Sequence, residues 1–351
     1  MKAFINSATY GILLFLFITI NHTVCIGQQA KITAIGFYNL ENLFDTENDT
    51  LIEDEEFLPT GKKSWTLDKY QEKSKNMADV ISKIATDYIP AGLSILGVSE
   101  IENRKVLEDL VKQPSLISRN YQIVHLDSPD FRGIDVGLLY NPVHFTVMDY
   151  KPIPLINIEN GKRKFTRDIL YVKGILDQTD TLHILVNHWP SRSGGEKQTA
   201  AYRNNGGKVC RQVYDSLLLI HKNVHFIVMG DLNDNPDNES ITSFLRAKAN
   251  KKTMENKDLF NPYHDLYRRG LGSNAYRDTW SLFDQIIISD DLMNNAKGYK
   301  FLKAQVFNKE FLTTPSGKYK GYPFRTFDFD NYQGGYSDHF PAYIYLVKEV
   351  K

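Results

Sequence analysis

Apolar residues in this chain gather into short runs that stop abruptly at polar ones, and those runs predict most of its elements. Lys31 to Asn39 and Leu93 to Glu100 read as buried strands. Tyr121 to Leu126, Ile134 to Tyr140, Asp168 to Leu176, Thr181 to Trp189 and Val224 to Met229 continue the series, with late strands at Phe283 to Ser289 and Phe340 to Val347. The period changes over Leu67 to Tyr88, where Tyr70, Met77, Val80, Ile81, Ile84 and Tyr88 fall at helical spacing and predict one buried face. Glu196 to His221 reads as a second helix, interrupted at Gly206-Gly207. Residues 290–336, rich in Gly, Tyr and Phe, read largely as loop. Many strands mixed with helices predict sheets covered by helices. No repeat and no long Pro/Ser linker divides the chain, so residues 28–351 are expected to form one domain.

The first 27 residues read differently. Lys2 precedes an apolar stretch, Ala8 to Ile20, that is too short for a spanning helix, and small residues at Cys25 and Gly27 permit cleavage before Gln28. This is the pattern of a signal peptide over residues 1–27, which implies export to the periplasm or beyond and a mature chain with no transmembrane span. Lipid attachment at Cys25 is the weaker alternative, because Val24 is a poor residue before a lipoprotein cysteine. Cleavage would leave Cys210 as the only cysteine, so no intramolecular disulfide is expected. With 42 basic and 42 acidic residues the formal charge is zero, so anion binding must be local rather than a property of the whole surface.

The polar residues at strand ends carry the chemistry. Asn39 ends the first strand and Glu100 the second; Asn187 and His188 end another. Asp231 and Asn233 end the Phe226 run, Asp284 opens the Ile286 run, and Asp338 and His339 open the last strand. Ligands of α/β sheets bind outside such ends, and residues two apart in an extended segment point the same way, so Asp231 and Asn233 are expected to face one substrate. Oxygen and imidazole donors suit Mg2+, which binds through one or two carboxylates together with water and substrate phosphate, with Mn2+ or Ca2+ as substitutes. Structural zinc would want Cys or closely spaced His, and the nine histidines show no such pattern. Read singly, each residue has a plainer role: Asn233 and Asp234 as turn formers before Pro236, His188 as a satisfied half-buried histidine, Glu100 as a solvated loop acid.

Taken in order, Phe37-Tyr38-Asn39-Leu40-Glu41-Asn42, Gly97-Val98-Ser99-Glu100, Val186-Asn187-His188-Trp189, Gly230-Asp231-Leu232-Asn233, Phe283-Asp284-Gln285-Ile286 and Ser337-Asp338-His339 resemble the endonuclease/exonuclease/phosphatase superfamily. Its members include deoxyribonuclease I, abasic-site endonucleases, sphingomyelinases and inositol polyphosphate 5-phosphatases. The stretch Tyr38 to Asp45 is most similar to exported bacterial members. The resemblance implies an α/β four-layer sandwich of two facing mixed β-sheets flanked by helices. It makes Glu100 the principal metal ligand, with Asn39 beside it and Asp338 contributing. It makes His339 the general base, aligned by Asp284, and lets Asp231 orient the attacking water. Asn233, His188 and Asn187 would then contact the phosphate or leaving oxygen. Glu41 stands where abasic endonucleases carry aspartate, and its longer arm makes a ligand role doubtful.

Among the arginines near strand ends, Arg167 and Arg132 are the preferred phosphate contacts over Arg192 and Arg203. The basic tip Lys162-Arg163-Lys164 is given no role. The aromatic loop from Tyr319 to Tyr336 is the candidate for substrate choice. These features imply an exported Mg2+-dependent phosphodiesterase acting on DNA or RNA as its partner, with no stable protein partner implied. The alternative on the same fold is a sphingomyelinase-like or inositol-phosphate-type phosphoesterase. A catalytically dead binding module is a further class, disfavoured because it would have no use for an imidazole base with its own aligned carboxylate.

Overall fold

Strands apolar on both faces need cover on both sides, and the computed structural model, which describes residues 30–350, supplies it with two sheets and their helices. The leader expected over residues 1–27, Cys25 included, lies outside the described residues. In the first sheet the spatial order is Lys300–Val306, Ala342–Glu349, Ala30–Leu43, Ile95–Ile101, Asp135–Tyr140 and Gln122–His125. The second runs Ala247–Lys248, Leu259–Phe260, Asp284–Ser289, His225–Asp231, Asp180–His188, Ile169–Leu176 and Phe145–Ile153. Each sheet is mixed: Ala30–Leu43 runs parallel to Ile95–Ile101, and His225–Asp231 parallel to Asp180–His188, while most other pairs are antiparallel. The expected pair of facing mixed sheets flanked by helices is what the chain forms.

Side-chain alternation divides the second sheet between two cores. Ile184, Val186, Ile227, Met229, Ile286 and Ile288 join the large cluster between the sheets, whereas Leu185, Phe226, Val228 and Ile287 pack outward with Cys210 and Tyr214 of the helix Glu196–Ile220. The sheets approach closely enough that a Cβ on Gly97 would sit 2.6 Å from the Met229 sulfur. On the outer side of the first sheet, the helix Leu67–Lys83 buries Tyr70, Met77, Val80 and Ile81.

Three expectations change. The first helix stops at Lys83, Ala85 takes a left-handed φ of 64°, and Tyr88 lies exposed rather than on the buried face. The glycine pair does not interrupt the helix Glu196–Ile220. A Cβ on Gly206 would meet the Trp189 ring at 2.8 Å and one on Gly207 the Ser240 carbonyl at 2.2 Å, so the pair allows close packing. Finally, Phe145–Ile153 is an edge strand whose mostly exposed residues gave no buried run to read, and Lys300–Val306 is a strand inside the segment expected to be loop.

Candidate active site

Strand register assembles one side of the site. Asp231 pairs with His188 on one neighbouring strand and with Asp284 on the other, so an imidazole and two carboxylates form a row across the end of the second sheet. His339, entering the last strand of the first sheet, completes the row: its Nδ1 lies 2.6 Å from Asp284 Oδ2 and its Nε2 3.8 Å from Asp231 Oδ2. The buried acid thus fixes the ring so that its other nitrogen faces Asp231.

The first sheet contributes through an irregularity. Pairing shifts between Ser99 and Ile101, and Glu100 sits at that bulge with a left-handed φ of 56°. Bulges re-aim a side chain. Here the Glu100 carboxylate accepts from Asn39 Nδ2 at 3.1 Å and from the Asn42 backbone N–H at 3.0 Å. The same Asn39 amide donates to Asp231 Oδ2 at 3.0 Å, tying carboxylates of opposite sheets together. His188 Nε2 lies 3.7 Å from both Glu100 Oε1 and Asp231 Oδ2.

Charge sets the protonation pattern. Burial pushes the Asp231 carboxyl up to about 7; His339 opposes this, and Asp284 and Glu100 add to it. His188 is held well below the ordinary imidazole value by burial, then by Arg167, Arg132 and His339, so it is neutral. Burial works against a charged His339 too, but Asp284, Asp231 and Asp338 outweigh it and raise that imidazole well above its usual value. Asp338 stays ionised below its usual range, because His339 and Arg325 outweigh the cost of its burial.

This donor set fits a divalent cation. Glu100, His188 and Asp231 bring ligand atoms within 4.8 Å of one another. Burial, more than the neighbouring Asp284 and Glu100, raises the Asp231 carboxyl, and a cation beside it would favour its ionised form. Glu100 and Asp231 would hold the ion, with Asp338 close by: its Oδ1 is 4.0 Å from His339 Nε2.

Several sequence-selected residues are engaged elsewhere. Asn187 is fully buried; its amide donates to the Leu185 and Met229 carbonyls and its oxygen accepts from Trp189 Nε1 and Cys210 Sγ, so it ties strands together instead of meeting substrate. Asn233 does not continue an extended strand beside Asp231. It turns with φ 49°, its backbone N–H donates to Asp231 Oδ1, and its amide donates to the Trp189 carbonyl, which is the turn-former reading. Asn39 presents its NH2 to the two carboxylates while its oxygen accepts from Glu41 N–H, so in this arrangement it ties Glu100 to Asp231. Arg167 is buried against Asp130 at 2.8 Å and donates to the His188 and Trp189 carbonyls, a brace behind His188. Arg132 shares Asp130 at 3.4 Å but keeps an exposed side chain, which leaves it able to meet a phosphate. Arg192 and Arg203 both hold Asp234.

Two further participants, Arg325 and Lys73, carry no reading from the sequence, and a third, Glu41, reads there only as a doubtful metal ligand. Arg325 donates to Asp338 Oδ2 at 2.7 Å and lies 3.8 Å from Glu41. Glu41, raised to about 7 by burial and then by Asp338, accepts from the Thr326 backbone N–H at 2.7 Å and so anchors a loop instead of a metal. Buried Lys73 donates to Thr326 Oγ1 and to the Tyr336 carbonyl. A lysine between Tyr70 and Met77 on a mostly apolar helix face was the available signal for it. No local pattern marks Arg325.

Residues 34–348 match the model of the Endonuclease/Exonuclease/phosphatase family. Solved structures with a similar fold include a family protein from Bacteroides thetaiotaomicron, 15% identical, with a TM-score of 0.54 over 92% of this chain and 97% of that one. TDP2 of D. rerio, complexed with a single-strand DNA product, is 12% identical with a TM-score of 0.54 over 90% and 98% of the two chains. A mannosyl-6-phosphatase of B. thetaiotaomicron VPI-5482 is 15% identical with a TM-score of 0.52 over 90% and 99%. At these identities the likeness concerns the fold alone. No curated protein matches the chain.

Proposed function

Because the chain belongs to the endonuclease/exonuclease/phosphatase family and is a hydrolase of phosphate ester bonds, we propose that it is an exported, Mg2+-dependent phosphodiesterase cleaving nucleic acid by in-line attack of water. The observation that carries this reading is the convergence of Glu100, Asp231, His188 and the Asp284–His339 pair at one end of both sheets. Such a group can orient water on one side of a phosphorus centre and receive the leaving oxygen on the other.

A divalent cation held by Glu100 and Asp231 would polarise a phosphate oxygen and offset the carboxylate charge that now favours a protonated His339. Asp231, facing His339 Nε2, orients the attacking water. His339 takes the water's proton, with Asp284 aligning the ring and stabilising the resulting imidazolium. Neutral His188 donates one N–H to a phosphate oxygen as charge develops on it. Arg132 adds a positive charge from the exposed side. The phosphorus gains the water oxygen and loses the leaving oxygen, which takes a proton from solvent water, while His339 afterwards returns the attacking water's proton to solvent.

A phosphomonoesterase is the second reading, supported by the shared fold of the mannosyl-6-phosphatase. One panel tests both: single-stranded DNA, plasmid DNA, RNA, sphingomyelin, inositol phosphates and mannose 6-phosphate, each with Mg2+ or EDTA. Nucleic-acid cleavage abolished by EDTA is expected; turnover of monoesters or lipid without any nucleic-acid cleavage would overturn the proposal. Export rests on residues 1–27, with residues 28–351 acting as one domain. N-terminal sequencing of the protein from its native cell should begin at Gln28, and a protein retaining Met1 would refute the cleavage.

A further inference from the structure

Beside the catalytic centre lies a cavity of about 520 Å3, walled by the tip of the hairpin Asn274–Ser281 on one side and by residues 314–333 on the other. Asp338 forms part of its lining, and the Arg325 that holds Asp338 forms another. The cavity therefore borders the catalytic centre through Asp338. Resting on the phosphodiesterase reading, we propose that it is a subsite for one unpaired nucleobase flanking the scissile phosphate, so that the enzyme prefers single strands.

Three observations carry this. First, the walls are built and held. Asn274 donates to the Asp338 carbonyl at 2.9 Å and pairs with His339, which fixes the hairpin to the catalytic segment. Tyr322 OH bonds the Asp278 carboxylate at 2.6 Å and its ring packs 5.7 Å from Tyr319 and 5.8 Å from Trp280, so hairpin and loop are clasped together. Second, aromatic surface is left open: Tyr276 is 67% exposed and Phe329 80%, although both line the cavity. Such faces gain by stacking on a flat ring and are tolerant of which base it is.

Third, although Asp278, Asp328 and Asp338 share the wall, two of its cations are left to meet a polyanion, since Asp278 is held by Tyr322 and Asp338 by Arg325. Arg277 stands 5.1 Å from the Tyr276 ring and Lys318 5.2 Å from that of Tyr319, and neither pairs with a carboxylate among the described residues. A single phosphate is already served at the catalytic centre. A strand supplies one more with each nucleotide, a charge these two side chains of the cavity wall could meet. Arg277 and Asp278 both hold left-handed backbone, φ 48° and 60°, at a hairpin tip where Asn-Gly would be easier. Those unfavoured residues at the tip are the ones that supply the cation and the clasp. A paired base cannot enter without leaving its stack, hence the preference for single strands.

The test uses the full mature protein carrying Glu100→Gln, so that binding is read without turnover, with fluorescence anisotropy at fixed salt. An octathymidylate should bind about tenfold tighter than an abasic octamer of equal charge. Tyr276→Ala, or Phe329→Ala as a second variant, should bring the octathymidylate to the affinity of the abasic octamer without weakening the abasic octamer further. Equal affinity for the two octamers, equal weakening of both by Tyr276→Ala, or equal binding of the corresponding duplex would each overturn the subsite. If the parent hydrolyses no phosphodiester while the base preference in binding persists, the catalytic reading fails and the subsite stands.

Discussion

The catalytic centre and the rim beside it are held by different forces. In the centre, His188, Asp231 and Asp284 are neighbours by strand register, so the backbone ladder itself spaces them. Along the rim, the loop carrying Arg325 and Thr326 is held by side-chain ties: Glu41 accepts from Thr326 N–H, Lys73 donates to the Tyr336 carbonyl, and Asn76 donates to the Gly334 and Gly335 carbonyls. A ladder resists local change, whereas a tie can be exchanged one residue at a time. On the proposed reading, the ladder spaces the groups that would do the chemistry and the ties hold the loop that would meet the substrate.

Substitutions should divide along the same line. His339→Ala should lower the rate on a phosphodiester by about 10³-fold with little change in melting temperature; a rate within a fewfold of the parent would remove His339 from the mechanism. Glu100→Gln should raise the Mg2+ concentration for half-maximal rate at least about tenfold, and superimposable Mg2+ titrations would show that the cation sits elsewhere. In the parent, Asp231 must lose a proton near pH 7 before it can bind a cation. Mg2+ affinity should therefore be about tenfold weaker at pH 6 than at pH 8, and a flat calorimetric profile would contradict this.

At the rim, Arg325→Ala should raise KM severalfold with a smaller effect on kcat, because it lines the cavity and holds Asp338. Arg167→Ala is the contrasting case: loss of a buried brace should appear first as a lower melting temperature. A pure kcat effect from Arg325→Ala would erase the distinction between the two regions.

The smallest expected effect lies away from both. Burial raises the Glu102 carboxyl to about 8 where it accepts from the Asp45 backbone N–H. Its ionisation is harder in the folded than in the unfolded chain, so its contribution is fullest below the ordinary carboxylate value and is lost as pH rises through about 8. Glu102→Gln should flatten the fall in melting temperature over that window by a few degrees at most. An unaltered slope would locate the pH dependence elsewhere.

How far the site was legible follows from how each residue is held. Glu100, Asp231, Asp284, Asp338 and His339 all flank apolar runs, and an apolar run bounded by an acid or imidazole is visible in one dimension. Asn187 and Arg167 stand there too, yet they turn to carbonyls and to Asp130. Proximity to a strand end says nothing about which partner satisfies a buried amide or guanidinium. Arg325 left no trace, because its meaning depends on Asp338 and on Glu41 far away in the chain.

From the sequence alone came the runs that must be buried, the polar residues at their ends and the order in which they occur, because solvent sorts residues by local pattern. The folded chain alone decided that Asn39 bridges two sheets, that Glu41 anchors a loop 285 positions away, and that an aromatic cavity opens beside Asp338. Those outcomes rest on which distant donor reaches which acceptor, and periodicity carries no record of that choice.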